Sequence, residues 1–217
     1  MNKVKVVTIG LGYIGLPTAA IFASRGLEVF GIDINKHAVD TINRGEIHIV
    51  EPHLEAMVRD ATQKGLLSAR TAPIEADAFI IAVPTPFKGK NHEPDLKFIK
   101  SAVLSIAPFL SKGNLIILES TSPVGTTEKM ELWLAEARPD LIFPSQALAK
   151  PDIFIAYCPE RVLPGNILSE LVSNDRIIGG ASSLCASKAQ RLYEVFVEGD
   201  CLLASSSRMA EMIKLTE

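Results

Sequence analysis

The chain is poor in the residues that build disulfide frameworks and metal centres. Its three cysteines, Cys158, Cys185 and Cys201, are odd in number and show no CxxC spacing, which speaks against a disulfide scaffold and suits a reducing compartment. Its four histidines, His37, His48, His53 and His92, stand singly, so a metal site would lack clustered ligands. No run of Lys or Arg occurs and the net charge is -3. A phosphate backbone would meet no basic field, and nucleic acid is not an expected partner. No stretch reaches the ~18 unbroken apolar residues of a membrane span. The opening MNKVKVVTIGLGYIG runs into glycines without an A-x-A cleavage pattern, so no signal peptide is read and the expected location is the cytoplasm.

What is present describes an ordinary globular chain. Its 217 residues are 47% hydrophobic and 22% charged, enough for one full domain plus a remnant at roughly 100 to 200 residues per domain. Short apolar runs at 5–10, 28–33, 78–83, 114–120, 152–158 and 175–180 alternate with helical patterns at 14–25, 36–43, 53–64, 95–109, 126–137 and 183–197. The runs are rich in β-branched residues and lack polar alternation, the signature of strands buried on both faces. Such alternation predicts an α/β fold, a doubly wound and mainly parallel sheet with helices on both faces. CLLAS at 201–205 reads as one more strand, and SSRMAEMIKLTE then starts a helix that Ser206 or Ser207 can cap. That helix meets no stop signal before Glu217. It is either a frayed terminal helix or the opening of an element that continues in a longer protein.

Chemistry enters at Gly10-Leu11-Gly12-Tyr13-Ile14-Gly15. A lone G-x-G-x-x-G is weak evidence. This one follows a strong strand, opens a helix, and precedes Asp33 by eighteen residues counted from Gly15, which together make the Rossmann-type dinucleotide fingerprint. Gly10 would allow the tight turn, Gly12 the approach of a pyrophosphate, and Gly15 close helix-to-strand packing, with the helix N-terminus favouring negative charge. Asp33 would accept from ribose hydroxyls and repel a 2′-phosphate, so NAD is expected over NADP. The competing reading is a structural glycine turn beside a capping aspartate.

Three further strand ends share the ligand edge of such a sheet. The third ends Ala82-Val83-Pro84-Thr85-Pro86, where stiff prolines present Thr85 or simply make a turn. The fourth ends in the hydroxyl-rich ESTSPVGTTE at 119–128, with Thr126 and Thr127 as possible helix caps. The fifth ends YCPERVLPG at 157–165, where Glu160 is an acid/base candidate or an exposed partner of Arg161. Lys214 by itself is an ordinary solvated lysine.

GLGYIGLP, the Asp33 position, AVPTP, STSPVGTTE, CPERVLPG and AEMIKLTE occur in the order and spacing of the UDP-glucose/GDP-mannose dehydrogenase family, which the chain therefore resembles along its whole length. NRGEIHIVEP, AVPTPFKG and YCPERVLPG bring it nearest to members that oxidise UDP-N-acetyl-D-mannosamine. The resemblance implies an NAD-binding domain at 1–205 and the start of a central connecting helix at 206–217, with a C-terminal UDP-binding domain outside this chain. It implies oxidation of a sugar C6 alcohol to a carboxylate with two NAD, a UDP-sugar as substrate, and a homodimer. Residue by residue, it gives Gly10, Gly12, Tyr13, Ile14, Gly15, Asp33, Thr85 and Thr126 to the cofactor, and Arg161, Val162 and Lys214 to the substrate. Thr121 would hold a catalytic water, Glu160 would act as base or stabiliser, and Lys214 would stabilise oxyanion character.

Two departures follow from the same resemblance. Pro164 stands where UDP-glucose dehydrogenases commonly carry a second glutamate, which argues against glucose as substrate and puts a two-carboxylate mechanism in doubt. The family's nucleophilic cysteine lies beyond residue 217, and Cys158 matches a position that is not usually a nucleophile. Three readings stay open: the dehydrogenase half just described, a member acting on another UDP- or GDP-sugar, and a non-catalytic dinucleotide-binding module.

Overall fold

The computed structural model describes residues 4–89, 93–147 and 150–216, so His92 and Glu217 lie outside the described residues. The first half runs β1 Lys5–Ile9, α1 Gly15–Ser24, β2 Glu28–Ile32, α2 Lys36–Asn43, α3 Leu54–Gln63, β3 Leu67–Arg70 and β4 Ala78–Ile81. A two-stranded hairpin, β5 Phe87–Lys88 and β6 Glu93–Pro94, leads to α4 Lys97–Ile106, β7 Leu115–Leu118 and α5 Thr126–Ala137. The chain then continues through β8 Phe154–Tyr157, α6 Ile167–Ser173, β9 Arg176–Gly180, α7 Ser183–Tyr193, β10 Cys201–Leu203 and α8 Ser207–Thr216.

The main sheet is ordered β3, β2, β1, β4, β7, β8, β9, β10. Its first six strands are parallel throughout and reverse direction of growth between β1 and β4, the place where open α/β sheets open a ligand crevice beyond their strand ends. The expected double burial of the strands is visible residue by residue. Along β4, β7 and β8, side chains alternate between two apolar clusters: Ala78, Ile80, Leu115, Ile117, Phe154 and Ala156 point to one, Phe79, Ile81, Ile116, Leu118 and Ile155 to the other. The first cluster is roofed by residues of α1, α2, α3, α6 and α7, the second by residues of α4, α5 and α8.

One strand departs from the parallel pattern. The run at 175–180 forms β9, which pairs antiparallel to β8, Ala156 opposite Gly180 and Tyr157 opposite Gly179. The cause lies in the connection. The buried carboxylate of Glu51 accepts from the Gly165 and Ile167 amides at 3.0 and 2.7 Å, anchoring the start of α6 beside the ends of the parallel strands. At ~1.5 Å per residue this seven-residue helix spans only about 10 Å. The chain therefore enters β9 from the strand-end edge and runs back along the sheet. β10 is parallel to β9, and α8 lies directly on β9: a Cβ at Gly179 would sit 2.3 Å from the Ser206 carbonyl and 2.8 Å from the Ala210 Cβ.

Candidate functional site

The glycine loop divides into two kinds of glycine. Gly10 has φ +91°, and a Cβ there would lie 2.5 Å from the Ala82 carbonyl oxygen. At Gly15 a Cβ would lie 1.8 Å from the Gly10 carbonyl oxygen and 3.2 Å from the Ala82 Cβ. Protein packing therefore demands both. At Gly12 nothing lies within 4 Å of the added carbon, so the protein's own packing does not require a glycine there. Gly12 and its neighbour Tyr13 are exposed. They stand at the start of α1, whose first turn has no acidic residue and no side-chain cap among the described residues. Such an end favours an anion. Asp33, at the tip of β2, accepts from the Leu11 amide at 2.9 Å with one oxygen and from the Asn35 amide at 2.8 Å with the other. These bonds tie the glycine loop to the neighbouring strand end and leave each oxygen capacity for another donor. The arrangement fits a dinucleotide: main chain and helix end for its phosphates, carboxylate for its ribose.

The next two loops are laced together. Thr85 donates to the Thr121 carbonyl at 2.7 Å, and Ser120 donates to the Val83 carbonyl at 2.7 Å. Thr121 itself is exposed. The threonines expected as caps of α5 have other tasks. Gly125, with φ +89°, occupies the cap position, and the buried Thr126 hydroxyl turns back to the Pro123 carbonyl at 2.6 Å. The cap comes from α8 instead. Glu211, fully buried, accepts from the Gly125 amide at 2.6 Å and from the Thr127 amide and hydroxyl at 2.8 and 2.7 Å.

One helical turn past Glu211, Lys214 reaches Glu160. Its Nζ donates to the Glu160 carbonyl at 2.7 Å and lies 3.2 Å from the Glu160 carboxylate. The two side chains are only 19% and 18% exposed, so solvent screens this pair less than an ordinary surface bridge. Glu160 thus has a partner in Lys214, from a helix 54 residues away. The Arg161 carbonyl accepts from Asn174 at 2.7 Å, and Val162 packs against the apolar cluster under α1. Tyr157, at the end of β8, lies buried beside these groups. Burial first, then the charges of Glu211 and Glu160, hold its phenol well above the usual range.

Beneath the site is a polar cluster that the sequence pattern did not single out. Glu119, the residue before the hydroxyl-rich loop, lies 3.4 Å from Arg176 of β9 and accepts from Tyr193 at 3.2 Å and Thr18 at 3.3 Å. Burial pushes its carboxyl up to about 7, against the pull of Arg176 and with the push of Glu160. Arg176 also faces the rings of Tyr193 and Phe196, at 5.0 and 5.7 Å. A carboxylate at the end of LIILE and an arginine opening RIIGG were the available signals, since buried charges seek partners. Cys158 borders this cluster, and burial pushes its thiol up to about 12 despite Arg176. It is held as a neutral thiol and is a poor nucleophile. All three cysteines are free. Among the described residues no group of His, Cys, Asp and Glu could hold a metal ion, and no helix is long and apolar enough to cross a membrane.

Residues 4–197 match the model of the NAD binding domain of the UDP-glucose/GDP-mannose dehydrogenase family. The whole chain is 62% identical to the UDP-N-acetyl-D-mannosamine dehydrogenase of Escherichia coli K12 and covers 51% of it. Over 98% of its length it is 59% identical to an NDP-N-acetyl-D-galactosaminuronic acid dehydrogenase of Ralstonia nicotianae, covering 50% of that protein. Among solved structures, the UDP-D-ManNAc dehydrogenase of Pyrococcus horikoshii superposes with a TM-score of 0.90 at 40% identity, over 98% of this chain and 49% of that one. The chain thus spans about half the length of the relatives it matches.

Proposed function

This chain belongs to the UDP-glucose/GDP-mannose dehydrogenase family, and on that basis we propose that it is the NAD-binding half of an enzyme that oxidises UDP-N-acetyl-D-mannosamine at C6 to UDP-N-acetyl-D-mannosaminuronate. The product would serve surface polysaccharide biosynthesis. The observation that carries the reading is the placement of two devices along one sheet edge: the glycine loop with its open Gly12, and the Lys214–Glu160 pair. In this reading residues 1–205 form the NAD domain, and 206–217 begin the helix that leads to a UDP-binding half. The full-length protein works as a cytoplasmic homodimer.

NAD, when bound, supplies the hydride acceptor, twice per sugar. The main chain at Gly10, Gly12, Tyr13, Ile14 and Gly15 and the N-terminus of α1 cradle its pyrophosphate, while Asp33 takes the ribose hydroxyls. Thr85 contributes from its loop. Thr126, 1% exposed, acts through the loop it pins to Pro123. The Lys214 ammonium, fixed beside Glu160, stabilises negative charge that develops on the sugar oxygen. Glu160 accepts or holds the proton of a water that the exposed Thr121 hydroxyl helps to place. Arg161 and Val162 border the sugar nucleotide. The thiol that traps the aldehyde belongs to the remaining length of the protein, because Cys158 and Cys185 are buried and Cys201 lies on β10. Residues 1–217 alone are expected to bind NAD without turnover.

Full-length protein assayed with UDP-N-acetyl-D-mannosamine, UDP-glucose and GDP-mannose should release two NADH per molecule of the first sugar. Turnover of UDP-glucose alone would overturn the substrate assignment. The Ralstonia relative, named for an N-acetylgalactosaminuronic acid, makes another N-acetylated sugar nucleotide the second reading, and NAD binding without turnover of any sugar would favour a non-catalytic module.

A further inference from the structure

Glu211 has no solvent exposure, and among the described residues its side chain forms no ion pair with an Arg, Lys or His. Its carboxylate spends both oxygens on α5: Oε2 on the Gly125 amide, Oε1 on the Thr127 amide and hydroxyl. A buried charge is costly unless it is fully hydrogen-bonded, and here three donors plus the positive end of α5 satisfy it. What is tied together matters more than the tie. The α5 end closes the loop that carries Thr121 and Thr126, and that loop receives the Thr85 hydroxyl. On the other side, Lys214 follows Glu211 by one turn of α8 and touches Glu160. The nearby Arg208–Glu128 pair, which also joins α5 to α8, is more than half exposed on both sides, while Ala210 seats α8 on β9. We propose that Glu211 is a positioning residue, which locks α8 to the start of α5 and so holds Lys214 and the Thr121 loop in one fixed geometry beyond the ends of β7 and β8.

The inference rests on the catalytic role proposed above for Lys214, and its test separates the two. In full-length enzyme, Glu211→Ala should lower kcat about 10- to 100-fold, the scale of an ångström-sized misplacement at a reacting centre. Combined with Lys214→Met its effect should shrink well below the loss seen alone, leaving only the part that acts through Thr121. Met130→Ala, a buried α5 substitution away from the site, should lower the melting temperature yet remain additive with Lys214→Met. If Glu211→Ala does not fold, Glu211→Gln serves in the same cycle. It keeps the side-chain volume and one acceptor for Thr127, but presents a donor to the Gly125 amide. Full additivity of the Glu211 variant with Lys214→Met, or an unchanged kcat in it, would overturn the inference while leaving the site reading intact. An unchanged kcat in Lys214→Met alone would instead refute the lysine's role, and the inference with it.

Discussion

Substituting alanine separately at Gly12 and Gly15 should split binding from stability. At Gly12 the new methyl enters open space, and the residue is absent from the glycines with positive φ. Folding therefore loses nothing, and restriction of the unfolded chain can add about 0.4–1 kcal/mol. If a pyrophosphate rests on that main chain, the same methyl occupies its place, and a tenfold weaker Kd corresponds to about 1.4 kcal/mol. At Gly15 the methyl would sit 1.8 Å from the Gly10 carbonyl oxygen and 3.2 Å from the Ala82 Cβ. Two pieces of backbone must move apart, at a cost of about 3 kcal/mol or more. At roughly 2–4 °C per kcal/mol for a domain of this size, Tm should fall by about 6–12 °C. Thermal unfolding followed by circular dichroism and calorimetric titration with NAD measure the two effects independently. Gly12→Ala is expected to keep or raise Tm while losing at least a factor of ten in NAD affinity. A Gly12→Ala protein that binds NAD with the parent Kd would refute the assignment of this loop to the cofactor.

Glu119→Gln should flatten the pH dependence of stability. Because burial raises the folded carboxyl from 4.5 to about 7, its contribution is fully present below pH 4.5 and is lost as pH rises through about 7. The shift corresponds to about 3 kcal/mol between those limits, readable as the changing difference between parent and variant in urea unfolding at a series of pH values. A difference that stays constant from pH 4.5 to 7.5 would contradict it. Gly179→Ala should lift α8 from β9, given the 2.3 Å approach to the Ser206 carbonyl. Hydrogen exchange should quicken across 207–216 while α1 stays protected, and uniform protection would show that α8 is seated by other contacts.

Much of the sheet was legible because its signals are local. A buried strand such as AFII or LIIL declares itself over four residues, and the glycine turn with the strand before it and the helix after it occupies 5–24. Asp33 was legible for the same reason, as the end of the next strand. Elements too short to show a period escaped: β3, four residues with its last one exposed, and the seven-residue α6. The direction of β9 escaped with α6, since the anchoring of that helix by Glu51 spans more than a hundred residues of chain.

The doubly wound sheet, the glycine turn and the family were readable from the chain alone, because β-branched runs, glycines and fixed motif spacings act between near neighbours. How the site is assembled depends on contacts between residues far apart in the chain. Glu160 meets Lys214 across 54 residues, Glu119 meets Arg176 across 57, and Glu211 reaches the end of α5 across 84 and 86. In the sequence each of these is one polar residue at the margin of an apolar segment. Its role becomes defined when folding removes water from the carboxylate and leaves one set of donors within reach.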